Sequence, residues 1–357
     1  MTLILSNDDV AKLLTIGDCI DILEEAYVEV AHGRVVTRPR SECLAPVVGS
    51  DEAYSLASTD SIVPKLGVGC SRMTSDLLSW PKQGTSIRRF KRPAAPNDRY
   101  VGIVLLFSCE TGEPLAIFPD GVIQRMRVGA TNGIGVKHLA RRDARAVGIL
   151  GTGWQAGAQL MGVCAVRPIE SIRCFSPRRD SREQFARAMS EMLNIVVTPV
   201  DTADAAVGDA DIVLCATNAI ENVFFERWVR PGLHISSIKR QEVELGAMRR
   251  ADRLAIHTTD WNPMHYQTRG FVNPEGGASH AAKVGDVMDF STIPTLPQIV
   301  AGIAPGRGSD AEVTAFINNQ GTGYQFAATG AALYRKAVAA GIGYDLPTDW
   351  LTEDLHN

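Results

Sequence analysis

Apolar residues recur at a helical period at Ile16, Ile20, Leu23, Tyr27 and Val30, behind Thr15 as a cap and ahead of Gly33 as a stop. That spacing predicts one amphipathic helix near the start of the chain. The rhythm then changes. AYSLAST, RYVGIVLLFS and EPLAIFP are short apolar runs set apart by Pro and Gly, and they read as strands. Between the first two, Trp80 to Asp98 is rich in Pro and Arg and reads as a long loop. The first 120 or so residues therefore form a mixed α+β unit, followed by a helical stretch from Val122 to Arg141.

From Ala146 onward, strand and helix patterns alternate. The predicted strands are VGIL (147–150), SIRCF (171–175), IVVTP (195–199), DIVLCAT (211–217), LHISSI (233–238) and RLAIH (253–257), with helical runs starting near Trp154 and Ser181. Short apolar strands separated by helices mark a doubly wound parallel sheet. After His257 the pattern loosens. The last clear helix is GYQFAATGAALYRKAVAAG, whose place at the end of the chain allows it to return to the first unit.

One stretch carries chemistry. In VGILGTGWQAG, Gly151, Gly153 and Ala156 spell GxGxxA directly after an apolar strand and at the mouth of a helix. The first Gly permits the tight turn, the second lets backbone approach a pyrophosphate, and the third small residue lets helix and strand pack closely. Gly151, Thr152, Gly153, Trp154, Gln155 and Ala156 are therefore candidate dinucleotide-binding residues, with the pyrophosphate on the helix N-terminus. A plain strand-to-helix turn would also use glycine, but it would not need the alternating strands around it. NAD sites place an acid about 20 residues on, against the ribose hydroxyls. Here Ser176 stands there, with Arg178 and Arg179 behind it. A hydroxyl and two cations suit a 2′-phosphate, so NADP(H) is the expected cofactor and NAD(H) the alternative. Thr217 and Asn218 end the fourth strand, where they either meet the nicotinamide or cap the next turn.

Composition narrows the partners. Lys and Arg number 36 against 40 Asp and Glu, a net charge of -4, which argues against nucleic acid or an anionic membrane surface. No apolar run approaches the roughly 18 residues of a membrane span. The start, MTLILSNDDVAKLL, lacks the basic segment and apolar run of a signal peptide. The 7 cysteines are odd in number and never spaced CxxC, which fits reduced residues of a cytoplasmic protein. His257 and His265 are the nearest histidine pair, without ligand spacing, so no metal is expected.

Three further stretches give the loop a family. EPLAIFPDG, RVGATNGIGVKHLARRDARAVGILGTG and TGYQFAATGAALYRKA resemble the ornithine cyclodeaminase and mu-crystallin family over nearly the whole chain. The resemblance implies an α/β protein: a Rossmann domain, residues 126–321, inserted in a discontinuous α+β domain, residues 1–125 and 322–357, that binds substrate and forms a homodimer. It implies an active site in the cleft between them and a small amino or imino acid held by its carboxylate. The family's arginine in the helix before the Rossmann domain matches Arg127, and its arginine after a proline matches Arg40. Planar guanidinium forks suit a carboxylate.

Two departures stand out. Where many relatives carry a lysine, this chain has GVGCSRMTSD, with Arg72 the nearest candidate. An arginine there is an anion clamp, since it exchanges no proton near neutral pH. After the fifth strand, cyclodeaminases carry an Asp, and here the segment reads HISSIKRQEVELG. Lys239 or Glu242 either fills that space or sits on the surface. The expected function is an NADP(H)-dependent reduction of a small imino acid or ketimine, or the reverse oxidation. The alternatives are a cyclodeaminase-like lyase that releases ammonia, and a non-catalytic binding protein or accessory subunit of an oxidase.

Overall fold

The computed structural model describes residues 1–83, 86–87, 90–93, 99–219, 221–259, 264–271 and 288–353. It contains two principal sheets joined through one helix, Gly121–Leu139. The parallel sheet has seven strands in the order 197–199, 171–175, 146–150, 212–215, 234–237, 314–317, 253–256. Every pairing in it is parallel. Its first two strands lie side by side in register, Ala146 opposite Ser171 through Leu150 opposite Phe175. The strand order turns back on the other side of 146–150, where 212–215 pairs. That reversal opens the crevice in which doubly wound sheets take their ligands.

All six strands read from the sequence are present, most trimmed at their ends. The seventh, Thr314–Ile317, slots between 234–237 and 253–256. The helices Trp154–Val166 and Arg179–Leu193 start at or within two residues of their expected starts.

The second sheet has ten strands. Its main path runs 264–267, 41–46, 53–63, 68–79, 101–108, 114–119, 2–4 and 344–346, with 36–37 on the third strand of that path and 90–92 on the fourth. The chain returns to it twice. Met264–Gln267 crosses over to lie parallel to Ser41–Pro46, and Tyr344–Leu346 pairs antiparallel with Thr2–Ile4. Part of the expected Trp80–Asp98 loop is strand: Phe90–Arg92 pairs with Leu77–Ser79. Arg88 and Arg89 lie outside the described residues, while Lys91 pairs with Asp76 and Arg92 with Glu52.

The Ile16–Ala31 helix forms as its pattern predicts. Thr15 caps it, Asp18 completes a capping box, and Gly33 follows with a left-handed φ of 69°. It packs with Gly121–Leu139 and the C-terminal helix Gly323–Ala340 around Tyr27, Phe118 and Phe326, all nearly inaccessible. Each such side chain contributes roughly 1.5–3 kcal/mol by burial. The core of the second sheet is thus covered by a helix from each end of the chain.

Candidate active site

The glycine loop follows the strand Ala146–Leu150. Gly151 has φ +109°, and a Cβ there would stand 2.2 Å from the Ala216 carbonyl oxygen. No other residue fits so close to the neighbouring strand. At Gly153 a Cβ would meet nothing within 4 Å, which leaves that side of the loop open. Gly153 also begins the helix Trp154–Val166 without any side-chain cap, so the Trp154 and Gln155 N–H groups remain available to an anion, while Ala156 N donates to the Gly153 carbonyl. Ala156 is fully buried beneath them. These features fit a dinucleotide diphosphate.

A cleft of about 1020 Å³ extends from this loop. Gly151, Thr152, Gly153, Trp154 and Gln155 line one part of it, and Ser176, Pro177 and Arg178 another. Thr217, Asn218, Ala219 and Ile238 line it at the ends of the fourth and fifth strands. Thr152 Oγ1 donates to Ser176 Oγ at 2.9 Å, tying the glycine loop to the end of the second strand. Arg179, grouped with these residues on sequence, turns outward and pairs with Glu183 at 2.7 Å with its side chain 77% exposed. No acidic residue lines the cleft among the described residues.

Glu242 is fully buried just behind the cleft. Its Oε1 accepts from Thr217 N (2.6 Å) and Thr217 Oγ1 (2.7 Å), and its Oε2 from Ser237 Oγ (2.9 Å) and Lys239 N (3.2 Å). The carboxylate staples the ends of two strands together, so the geometry gives it a positioning role. Lys239 Nζ donates to the Ala219 carbonyl at 2.9 Å, beside the same loop. Thr217 both lines the cleft and caps a turn, its hydroxyl accepting from Ala219 N.

The arginines gather on the other side of Gly121–Leu139. Arg72 donates through Nε (2.8 Å) and Nη2 (2.6 Å) to Asp120 Oδ2. Arg127, 6% exposed, donates to Gln325 Oε1 at 2.9 Å, and its Nε has no partner. Both guanidiniums lie against the Phe326 ring, at 5.0 and 4.9 Å from its centroid. Burial, then the neighbouring Arg72 charge, pulls the Arg127 pKa down to about 9, which still leaves it a cation at neutral pH. Gln325 is itself held by Tyr27, Thr131 and Thr322, so Arg127 has a fixed support. Arg40 lies two strands from Arg72, with Nη2 3.3 Å from Glu42 Oε1.

Asp120, Phe326 and Gln325 were not singled out on sequence. Asp120 sits where a helix cap is expected but makes no cap bond, and its charge serves Arg72 instead. His257 is buried, with Gln320 O and Tyr324 OH on its two ring nitrogens, and His265 lies 3.3 Å from Glu42. No metal-ligating group of three or more His, Cys, Asp or Glu occurs among the described residues.

Comparison with known proteins decides the family. The model of the ornithine cyclodeaminase/mu-crystallin family matches residues 89–325. The chain belongs to this family.

Among its curated relatives, the Delta(1)-pyrroline-2-carboxylate reductase of Bacillus cereus is 26% identical over 346 residues, 96% of this chain and 98% of that protein. The solved Delta(1)-pyrroline-2-carboxylate reductase of Thermococcus litoralis, in complex with NADH and L-proline, is 26% identical. It superposes with a TM-score of 0.76 over 97% of this chain and all of that one. An archaeal alanine dehydrogenase dimer with bound NAD, 21% identical, shares the fold at a TM-score of 0.75 over 97% of this chain and 99% of that one. Within the ornithine cyclodeaminase/mu-crystallin family, then, this chain matches oxidoreductases over 96–97% of its length. No helix among the described residues is long and apolar enough to cross a membrane.

Proposed function

We propose that this protein is a homodimeric, NADP(H)-dependent oxidoreductase that reduces a small imino acid or ketimine, or oxidises the corresponding amino acid. The observation that carries the cofactor choice is the cleft lining. Ser176 and Arg178 follow the second strand, where the ribose is expected, and among the described residues no carboxylate lines the cleft to accept from a 2′-hydroxyl. A 2′-phosphate is instead met by a hydroxyl and a guanidinium.

Arg127 supports the substrate class. In the cluster of Arg72, Asp120 and Arg127, two cations face one carboxylate, which leaves one positive charge for a substrate carboxylate. The nicotinamide supplies or accepts the hydride when bound. This chain's residues orient the partners: Arg127 and Arg72 hold the carboxylate, Thr217 and Asn218 border the nicotinamide end, and Phe326 excludes water between the arginines. Relatives named as Delta(1)-pyrroline-2-carboxylate reductases support the reaction class.

Titration of NADPH and NADH by nicotinamide fluorescence tests the reading. NADPH is expected to bind at least about tenfold tighter, as one phosphate–arginine contact gives. Arg178→Gln should weaken NADPH alone, and Ser176→Asp should shift preference toward NADH. Oxidation of NADPH by Delta(1)-pyrroline-2-carboxylate checks the reaction. Tight NADPH binding with no turnover of cyclic or acyclic imino acids would return the protein to the accessory-subunit reading.

A further inference from the structure

Arg125 lies beside the glycine loop, against Trp154 and Gly157. It stands two residues before Arg127 on Gly121–Leu139, so at about 100° per residue it points to nearly the opposite side of that helix. Its guanidinium carbon is 4.1 Å from the centroid of the Trp154 ring. Its Nη2 fills the hollow above Gly157, only 2.7 Å from where a Cβ would stand. Trp154 and Gly157 are the first and fourth residues of the glycine-loop helix. The cation therefore lies against the start of that helix, whose free N–H groups border the cleft.

Arg125 is half-buried, its Nε has no partner, and no hydrogen bond or ion pair joins it to any described residue. Arg72 and Arg127 differ, each having a polar partner. Burial depresses the Arg125 pKa, with no carboxylate offsetting it. A partly desolvated guanidinium beside a helix N-terminus is costly alone and favourable once an anion arrives. The Trp154 face holds the cation meanwhile through its π-system.

Resting on the dinucleotide reading, we propose that Arg125 is a cofactor-anchoring residue whose guanidinium binds the diphosphate of the dinucleotide across the first turn of Trp154–Val166. A diphosphate carries two charges, of which the helix terminus balances about half of one. The planar fork of Arg125 suits the remaining oxygens. NADPH and NADH share this group, so Arg125 does not discriminate between them, whereas Arg178 does.

Equilibrium dissociation constants of both dinucleotides, with thermal midpoints alongside, test the assignment. Arg125→Gln should weaken NADPH and NADH by similar factors, roughly 10- to 100-fold, as expected for a charge-assisted contact. Arg125→Lys should restore part of that loss, which a merely structural stack on Trp154 would not require. Gly157→Ala, whose Cβ pushes the guanidinium aside, should weaken both dinucleotides even if Arg125→Gln does not fold. Unchanged binding in a folded Arg125→Gln or Gly157→Ala protein overturns the proposal. So does a loss confined to NADPH, which would put Arg125 at the ribose phosphate. If the wild-type protein binds neither dinucleotide, the functional reading fails first and this one with it.

Discussion

Arg127 is a buried cation supported by a neutral amide, and that choice matters. A carboxylate partner would cancel the charge, whereas Gln325 orients the guanidinium without neutralising it. Arg127→Gln should therefore lower kcat/KM for the imino acid by roughly 100-fold or more while leaving the NADPH dissociation constant within about threefold, as loss of a substrate-only contact does. Steady-state kinetics beside cofactor titration check it. Glu242 is the opposite case: its charge is consumed by four donors and none is left for substrate. Glu242→Ala strands the Thr217 and Lys239 amides in a buried site. The cost is about 1–3 kcal/mol per unsatisfied group, visible as a lower urea midpoint. A retained midpoint would show that water enters and replaces the carboxylate.

At the scale of elements, two helices meet through glycine. A Cβ on Gly129 would stand 2.3 Å from the Ala158 carbonyl oxygen, and one on Gly162 would stand 2.1 Å from that of Gly129. The helices Gly121–Leu139 and Trp154–Val166 therefore touch backbone to backbone. Gly129→Val should separate them, lower the thermal midpoint by several degrees and weaken cofactor binding, since overpacking typically costs about 1–3 kcal/mol. The loop itself was legible because each of its positions answers a distinct backbone demand: Gly151 a positive φ and a close approach, Gly153 an open side, Ala156 a buried contact. The strand Val68–Ser79 was not, because its inner face carries Arg72, Thr74 and Asp76 among the apolar residues. Site residues on a buried face erase the alternation that announces a strand. Thr314–Ile317 is only four residues long and lies far along the chain from the strands read before it, so no periodicity marks it. Nothing in the sequence marked Asp120 or Phe326, because their meaning comes only from their meeting with two arginines in the fold.

For the whole molecule, one face of the ten-stranded sheet carries Tyr54, Leu56, Ile62, Ile103, Met264 and Tyr266, each 39–52% exposed. So broad an apolar face is costly in water, and a second copy is the cover that the proposed homodimer would supply. Light scattering should give twice the chain mass, and Leu56→Asp combined with Ile103→Asp should give monomers. Acid should also loosen the fold. Burial pulls His257 down to about 4 from an ordinary 6.5, and pulls His234 down as well. The unfolded chain then binds more protons than the folded one between those values. The stabilisation is complete above about pH 6.5 and is lost as pH falls toward 4, on the order of 3 kcal/mol for His257. Thermal midpoints across that window should fall, and His257→Gln should flatten the slope.

The helix Gly121–Leu139 turns Arg125 toward Trp154 of the glycine-loop helix and Arg127 toward Gln325 and Phe326, within one turn. Whatever fixes one arginine restricts the rotation and shift available to the other. The two ligands should then bind synergistically, and by thermodynamic reciprocity each should tighten the other by the same factor. An ordered sequence, dinucleotide first and imino acid second, is the kinetic form that such coupling takes. If both arginines serve as proposed, the shared helix turn would keep substrate affinity low until the reductant is in place.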